Sequence, residues 1–316
     1  MKIEIISTES LGTRGLCCLV TMPGRTVLID PGIALGYIRQ GLFPHPFQVF
    51  HGVIVRRRII AALSQATDVV FSHFHGDHIP LANANPFQLS LQSVKDLLIK
   101  PNIWVSGCEE LTATMQLRRT AICEAVGKDL SSAEGRVDNE LSFSRTMPHG
   151  SYAHRPAEVM MTRIEANGRV FVHAADIQLL EYYPVQQIID WRPDVVLVSG
   201  PPIYLERLGK HVLENARKNA LHLADCVDTL IIDHHLMRSH EGVLWLENVC
   251  EEAGGNIMCA ADYMEKPRFL LEAWRRDLYR ELPVPHGWHN AYAEGTAQIE
   301  PYLRWRDRDL SNEYFE

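Results

Sequence analysis

Apolar residues in this chain fall into short runs, and several of those runs stop at a histidine or an aspartate. Runs at 2–7, 16–21 and 26–30, with Pro23-Gly24 before the last, predict an opening antiparallel meander. Residues 31–52 carry Pro31, Gly32, Gly36, Gly41, Pro44, Pro46 and Gly52 and read as a loop. Helical periodicity over 53–65 leads into an apolar strand at 68–72. A Pro/Asn-rich loop at 79–88 is followed by helical segments near 89–99 and 109–126. A strand at 141–145 comes next, then a hairpin of 160–165 and 169–172 about Asn167-Gly168, a strong turn signal. Further strands are expected at 195–199 and from 229. Helices are expected at 206–224 and 240–253, the second stopped by Gly254-Gly255. A last helix at about 266–281 precedes an aromatic, charged tail at 283–316. No repeat, low-complexity segment or linker divides the chain.

The ends of the runs carry the chemistry. After 68–72 comes His73-Phe74-His75-Gly76-Asp77-His78, a cluster of metal-ligand types in one short turn. A strand holds its tip rigidly, and imidazole with carboxylate suits zinc or iron. His149 follows the 141–145 strand within Met147-Pro148-His149-Gly150, Asp176 closes the run 169–176, and His234 and His235 close the run 229–235. Ligand-type residues at the same ends of separate strands converge on one edge of a sheet structure. A solvated histidine-rich loop explains one such cluster, not the series.

Other residues have competing readings. Asp30, at the end of 27–30, is evenly balanced between hydrogen bonding near the site and forming a turn. His173 should face away from Asp176 as a core or surface histidine. His45 and His51 fit a lid, but a plain surface loop is favoured. His286 and His289 would need the tail to fold back, or a second subunit, to approach the metals. Arg56-Arg57-Arg58 and Arg118-Arg119 look like phosphate patches, yet on helices such residues usually form solvated faces. Neighbours on a strand point to opposite faces, so His234 and His235 should not share one metal. The spare histidine is then a proton donor or substrate contact, with Asp233 orienting its neighbour.

Composition narrows the class. A chain of 316 residues with 46% hydrophobic content can bury a large core. A formal charge of −8 argues against a general nucleic-acid or anionic-membrane binder. No apolar run approaches the ~20 residues that cross a bilayer. The N-terminus reads as a strand rather than a signal peptide. Seven cysteines, an odd number without CxxC spacing, are expected as reduced thiols in a cytoplasmic protein.

The order HxHxDH, then His, then Asp, then His resembles that of the metallo-β-lactamase-fold metallo-hydrolases over about residues 1–260. Thr8-Glu-Ser-Leu-Gly12, Leu28-Ile-Asp-Pro-Gly32, Pro148-His-Gly150, Asp176-Ile-Gln178, Gly200-Pro-Pro202 and Asp233-His-His235 are most similar to a poorly characterised group of conserved metallo-hydrolases. The resemblance implies an α/β fold, a four-layer αββα sandwich forming a single domain over 1–316, with a C-terminal helix and tail at about 264–316. It implies two divalent metal ions, zinc first, with iron or manganese as alternatives. His73, His75 and His149 would bind the first metal. Asp77, His78 and one of His234/His235 would bind the second, and Asp176 would bridge them. Asp77, Asp176 and His234 then stand closest to catalysis, by a hydroxide between the metals. The expected activity is hydrolysis of an ester, thioester, lactone or phosphodiester in a small molecule. His75-Gly76-Asp77-His78 is also similar to the HGDH of tRNA 3′-processing nucleases. The acidic balance and the short gap from Asp176 to His234, with no room for a β-CASP insertion, count against RNA. A di-iron redox or metal-stabilised binding role is the other alternative, but His75 stands where the di-iron flavoproteins carry glutamate. A homo-oligomer is left open, and no membrane partner is expected.

Overall fold

The computed structural model describes residues 1–35, 38–39, 41–107, 111–150 and 158–307, with side chains as far as 303. The first sheet contains β1 (Lys2–Ser7), β2 (Cys17–Met22), β3 (Arg25–Ile29), β4 (Asp68–Phe71) and β5 (Asn102–Val105), in that order. Its first three strands are antiparallel, and β3, β4 and β5 run parallel. Pro23-Gly24 forms the tight turn between β2 and β3, with Gly24 at φ +75° where a side chain would be strained. Helix α1 (Pro46–Leu63) supplies the β3–β4 crossover, the β4–β5 connection holds only 3-10 turns, and α2 (Ala113–Val126) follows β5.

The second sheet holds β6 (Val137–Asp138), β7 (Leu141–Pro148), β8 (Glu158–Ala166), β9 (Arg169–Ala174), β10 (Val195–Val198), β11 (Thr229–Ile232) and β12 (Ile257–Met258), ordered β12-β11-β10-β9-β8-β7-β6. The edge from β6 to β9 is antiparallel. From β9 to β12 it is parallel. Between the parallel strands run α3 (Tyr182–Asp190), α4 (Lys210–Ala224) and α5 (His240–Glu252), followed by α6 (Ala260–Tyr263), α7 (Arg275–Glu281) and α8 (Trp288–Ala293).

Strand alternation builds the layers. Ile5, Cys18, Val20, Val27, Ile29 and Val70 of the first sheet join Phe143, Met160 and Phe171 of the second in one core. On the other face of the first sheet, Ile6, Cys17, Leu28, Val69 and Phe71 meet Val55 and Ile59 of α1 and Ile122 of α2. Val185 of α3 and Leu223 of α4 cover the far side of the second sheet. The adjacent Cys17 and Cys18 thus serve different cores. The result is a four-layer αββα sandwich, the architecture that the sequence resemblance implies.

Several expected boundaries move. α1 starts at Pro46, inside the expected loop 31–52. His45 caps it, its Nδ1 accepting from Phe47 N at 3.2 Å while Gln48 Oε1 accepts from His45 N at 2.8 Å. Histidine is outside the usual capping set, so this start is hard to see in the sequence. The helix expected near 89–99 is two short 3-10 turns, Leu91–Ser93 and Lys95–Leu98. Of the helix expected at 266–281, only α7 forms. The tail packs back, with Trp288 and Tyr302 burying against Leu35 and Val49. Among the described residues no helix is long and apolar enough to cross a membrane.

Arg25 ties the two sheets together. Its Nε and Nη2 donate to Asp68 at 2.9 and 2.8 Å, and Nη2 also reaches Asp138 Oδ2 at 2.7 Å across the sandwich. Burial pushes the Asp68 carboxyl up, but hydrogen bonds from Arg25, Trp104 and Thr67 outweigh it and hold Asp68 below the usual carboxylate range. A depressed carboxylate stabilises the fold above its unfolded pKa, and that contribution is lost as pH falls through the folded value. Arg25→Met is therefore expected to cost about 3 kcal/mol at neutral pH, because it strands a buried carboxylate. In urea unfolding the deficit should shrink on acidification; a deficit constant from neutral to acid would contradict this account.

Candidate metal centre

The C-terminal ends of β3, β4, β9 and β11 meet at one edge of the sandwich. Asp30, Asp176 and His234 lie just past three of those ends and all take left-handed backbone, with φ of 49°, 55° and 37°. Non-glycine residues seldom adopt this region, and such strain concentrates at functional sites. It turns each side chain out of the strand's alternation and toward the edge. Beyond β4 the chain wraps into a turn closed by His78 N donating to His75 O at 3.1 Å.

Two groups of ligand atoms converge around Asp176. On its Oδ2 side, His73 Nε2 lies at 3.3 Å and His75 Nδ1 at 3.4 Å, and these nitrogens are 2.9 Å apart. On its Oδ1 side, His78 Nε2 lies at 3.1 Å and His234 Nε2 at 3.3 Å, again 3.3 Å apart, with Asp77 Oδ2 3.6 Å from His234 Nε2. A tetrahedron with arms of about 2.0–2.1 Å, the zinc–nitrogen distance, has edges of about 3.3–3.4 Å. The observed separations bracket that edge length. His73, His78 and His234 are fully buried, and Asp77 and Asp176 nearly so.

Hydrogen bonds behind the rings set which nitrogen carries the lone pair. Ser72 Oγ donates to Asp30 Oδ2 at 2.6 Å, so it accepts from His73 Nδ1–H at 2.9 Å. His78 Nδ1–H donates to Asp30 Oδ2 at 2.9 Å, and His234 Nδ1–H to Glu9 Oε2 at 2.7 Å. Each Nε2 is left as an acceptor facing the centre, the tautomer a metal ligand needs. Arg238 Nη2, which can only donate, lies 2.9 Å from His234 Nε2 and fits the same tautomer. Burial and the neighbouring imidazoles push His73 down to about 3, so its ring is neutral. Burial pushes Asp77 up, but Arg14, His78 and His234 outweigh it and keep the carboxyl well below its usual range. Arg14 Nε donates to Asp77 Oδ2 at 2.8 Å. Burial pushes His78 and His234 down, but Asp176 and Asp30 outweigh it for His78 and Glu9 for His234 and raise both, so a cation there would displace a proton. Imidazole nitrogens and ionised carboxylates are the donor set that divalent cations take, so the residues fit such ions.

No protein-family model matches the chain. It is 43% identical over 303 residues to a UPF0282 protein of Methanosarcina mazei, covering 96% of this chain and all of the relative. A UPF0282 protein of Methanopyrus kandleri is 34% identical over 293 residues, covering 89% and 100%. This chain belongs to the UPF0282 family. Among solved structures, the isothiocyanate hydrolase from Delia radicum gut bacteria superposes with a TM-score of 0.50 at 15% identity, over 83% of this chain and 97% of that one. A metal-dependent hydrolase of the β-lactamase superfamily gives 0.49 at 14% identity, over 82% and 95%.

In this UPF0282 chain the expected residues separate. His73, His75, Asp77, His78, Asp176 and His234 come together, and His235 joins Asp176 and His234 in a further set of close ligand atoms. His149 stands beside them, its ring 5.6 Å from that of His75, but it joins none of these sets of mutually close ligand atoms. Its Nδ1 faces Gln178 Nε2 at 3.2 Å while Gln178 Oε1 is buried without a partner. Turned over, that amide would accept from Nδ1–H and leave His149 Nε2 as the lone-pair nitrogen, like the other three. His235 Nε2 is 3.7 Å from Asp176 Oδ1, and its ring stacks on His234 at 4.6 Å. The expected opposition of His234 and His235 fails because β11 ends at Ile232 and His234 takes positive φ. Asp30 both turns the chain and holds His78, so its alternatives merge.

Asp233 does not touch either ring. It accepts from Thr8 Oγ1, Ser10 N, His234 N and Ala260 N, fastening the loop after β1 to the end of β11. Glu9 is the residue that orients His234, and Arg238 holds Glu9 Oε1 at 2.6 Å. Both lie in or near the motifs Thr8-Glu-Ser-Leu-Gly12 and Asp233-His-His235, but their roles depend on a contact across the sandwich. His173 is buried on β9, bonded to Leu16 O at 2.9 Å. His45 and His51 belong to α1 rather than a surface loop, and His289 bonds Pro44 O at 2.7 Å in the tail contact. Arg118, expected on a solvated face, lines the cavity over the centre.

Gly32 explains part of its motif. A Cβ there would come within 2.2 Å of the His78 and Ile79 backbone. Gly32→Ala is expected to push the ligand turn out of place, lowering the zinc content measured by atomic emission. A variant with the full wild-type content would show that the turn tolerates the methyl group.

Proposed function

We propose that this chain is a hydrolase with a dinuclear metal site, most simply zinc, that cleaves an ester, thioester, lactone or phosphodiester in a small molecule. The observation that carries this reading is Asp176, whose two oxygens each face a separate group of lone-pair nitrogens. His73 and His75, with His149 beside them, would hold one ion. Asp77, His78 and His234 would hold the other, with Asp176 shared. Bound there, the ions supply an activated water and a Lewis acid for the reacting carbonyl or phosphoryl oxygen.

The chain's own groups do the rest. Asp30, Ser72 and Glu9 fix ring orientation, which keeps every lone pair aimed at one place. Arg14 holds Asp77 ionised. His235 lines the cavity, and burial lowers its pKa well below the usual value, so its ring is neutral at physiological pH. A neutral ring N–H there can donate to a substrate oxygen on which negative charge develops. The cavity measures ≈ 400 Å³, within the size range of small-molecule sites.

Two measurements test the reading. Purified protein should carry two metal equivalents, and a chelator should abolish turnover of a chromogenic panel of esters, thioesters, lactones and bis-p-nitrophenyl phosphate. His234→Ala should lose one equivalent. His235→Ala should keep both ions yet lower kcat by roughly 10²–10³-fold, as loss of an oxyanion donor does. Loss of metal from the His235 variant, with the His234 variant intact, would reverse these roles.

A further inference from the structure

The cavity over the centre has the opposite charge to the molecule around it. The chain carries a formal −8, but the charged residues lining this cavity are Arg14, Arg118, Arg207 and Arg238 against Asp77 and Asp176. Guanidinium groups therefore outnumber carboxylates before any cation is counted. A concave site of one sign inside a molecule of the other draws in ligands of the opposite charge.

The four arginines have different work. Arg14 is committed to Asp77, and Arg238 to Glu9, Tyr204 and His234. Arg207 stands exposed on the cavity wall. Arg118 is different. It reaches from α2 and donates through Nη1 to Phe74 O at 3.0 Å, which fixes its plane against the ligand turn. Among the described residues its Nη2 has no hydrogen-bond partner, and it lies beside Gly76 on the cavity wall. A Cβ on Gly76 would sit 3.2 Å from that Nη2 and 3.2 Å from Leu81 Cδ1. Gly76 does not have positive φ, so backbone strain does not require a glycine. The glycine between His75 and Asp77 instead leaves room for a guanidinium next to the ligands.

We infer that Arg118 is a substrate-binding residue, and that the substrate carries an oxyanion, carboxylate or phosphate, at or next to the bond that is cleaved. The inference rests on the hydrolase reading and adds the substrate's charge to it. A planar guanidinium with a free edge, held by a backbone carbonyl, suits paired hydrogen bonds to such a group. Lysine on the same helix would offer a point charge without that geometry.

Three chromogenic esters with the same leaving group test the idea on metal-loaded protein: p-nitrophenyl acetate, mono-p-nitrophenyl succinate and bis-p-nitrophenyl phosphate. The first is neutral, the second carries its charge beside the scissile bond, and the third carries it on the reacting group. At least one anionic ester is expected to exceed the acetate in kcat/KM, and which one does so locates the oxyanion. Arg118→Gln should reduce that preference by roughly ten- to a hundredfold, the worth of a charged hydrogen bond. Arg118→Lys should restore it in part, and Gly76→Ala should weaken it by crowding the guanidinium. Zinc content of each variant shows whether the centre is still assembled. Equal use of neutral and anionic esters by the wild type would overturn the inference, as would an Arg118→Gln variant that loses both in equal proportion. If neither these esters nor the thioesters and lactones of the wider panel are turned over, the hydrolase reading fails by itself. Calorimetric binding of inorganic phosphate to wild type and Arg118→Gln then decides this inference separately, with equal affinities counting against it.

Discussion

Nitrogens of His73, His75, His78 and His234 crowd around the one carboxylate of Asp176, and the architecture of this edge holds them in that arrangement. Asp30 and Glu9 accept from the outer nitrogens of His78 and His234, and Ser72, itself anchored on Asp30, accepts from His73. Without those acceptors each ring could flip or change tautomer and find a partner of its own. Left-handed backbone at Asp30, Asp176 and His234 is part of the same constraint. The strain is local, and the strands that precede these residues are buried on both faces, which keeps it from relaxing.

The acceptors come from far along the chain, so the fold has to be complete before the centre is. Glu9 follows β1 and His234 follows β11, and Asp233 fastens the two together through Thr8 and Ser10. Arg25 does similar work at a distance from the centre, joining β3 and β4 to the β6–β7 edge. Sheet pairing alone would allow the two halves of the sandwich to slide. These polar ties set their register.

Much of this was legible in the sequence. Apolar runs ending in His73, Asp176 and His234 revealed strands that deliver ligands, because a buried parallel strand reads as a continuous hydrophobic stretch. The helix start at Pro46 was not legible, since a histidine cap gives no composition signal. β5 and α3 went unseen because their runs are short or partly polar. The supporting residues Glu9, Arg14 and Arg238 look like ordinary surface charges in a linear reading; only the tertiary contact shows Glu9 and Arg238 buried, Arg14 half-buried and all three aligned. The paired histidines were misjudged for a similar reason. Alternation holds within a strand, and His234 lies two residues past the end of β11.

The ligands also divide between the two sheets. His73, His75, Asp77 and His78 hang from the end of β4 in the first, while Asp176 and His234 follow β9 and β11 in the second. A cation held between them acts as a rivet through the sandwich, and opening the halves would mean releasing it. Free cation would then shift the folding equilibrium by RT ln(1 + [L]/Kd), and the melting temperature would become a gauge of metal supply. In a cell short of metal, such a protein would loosen at its working edge first.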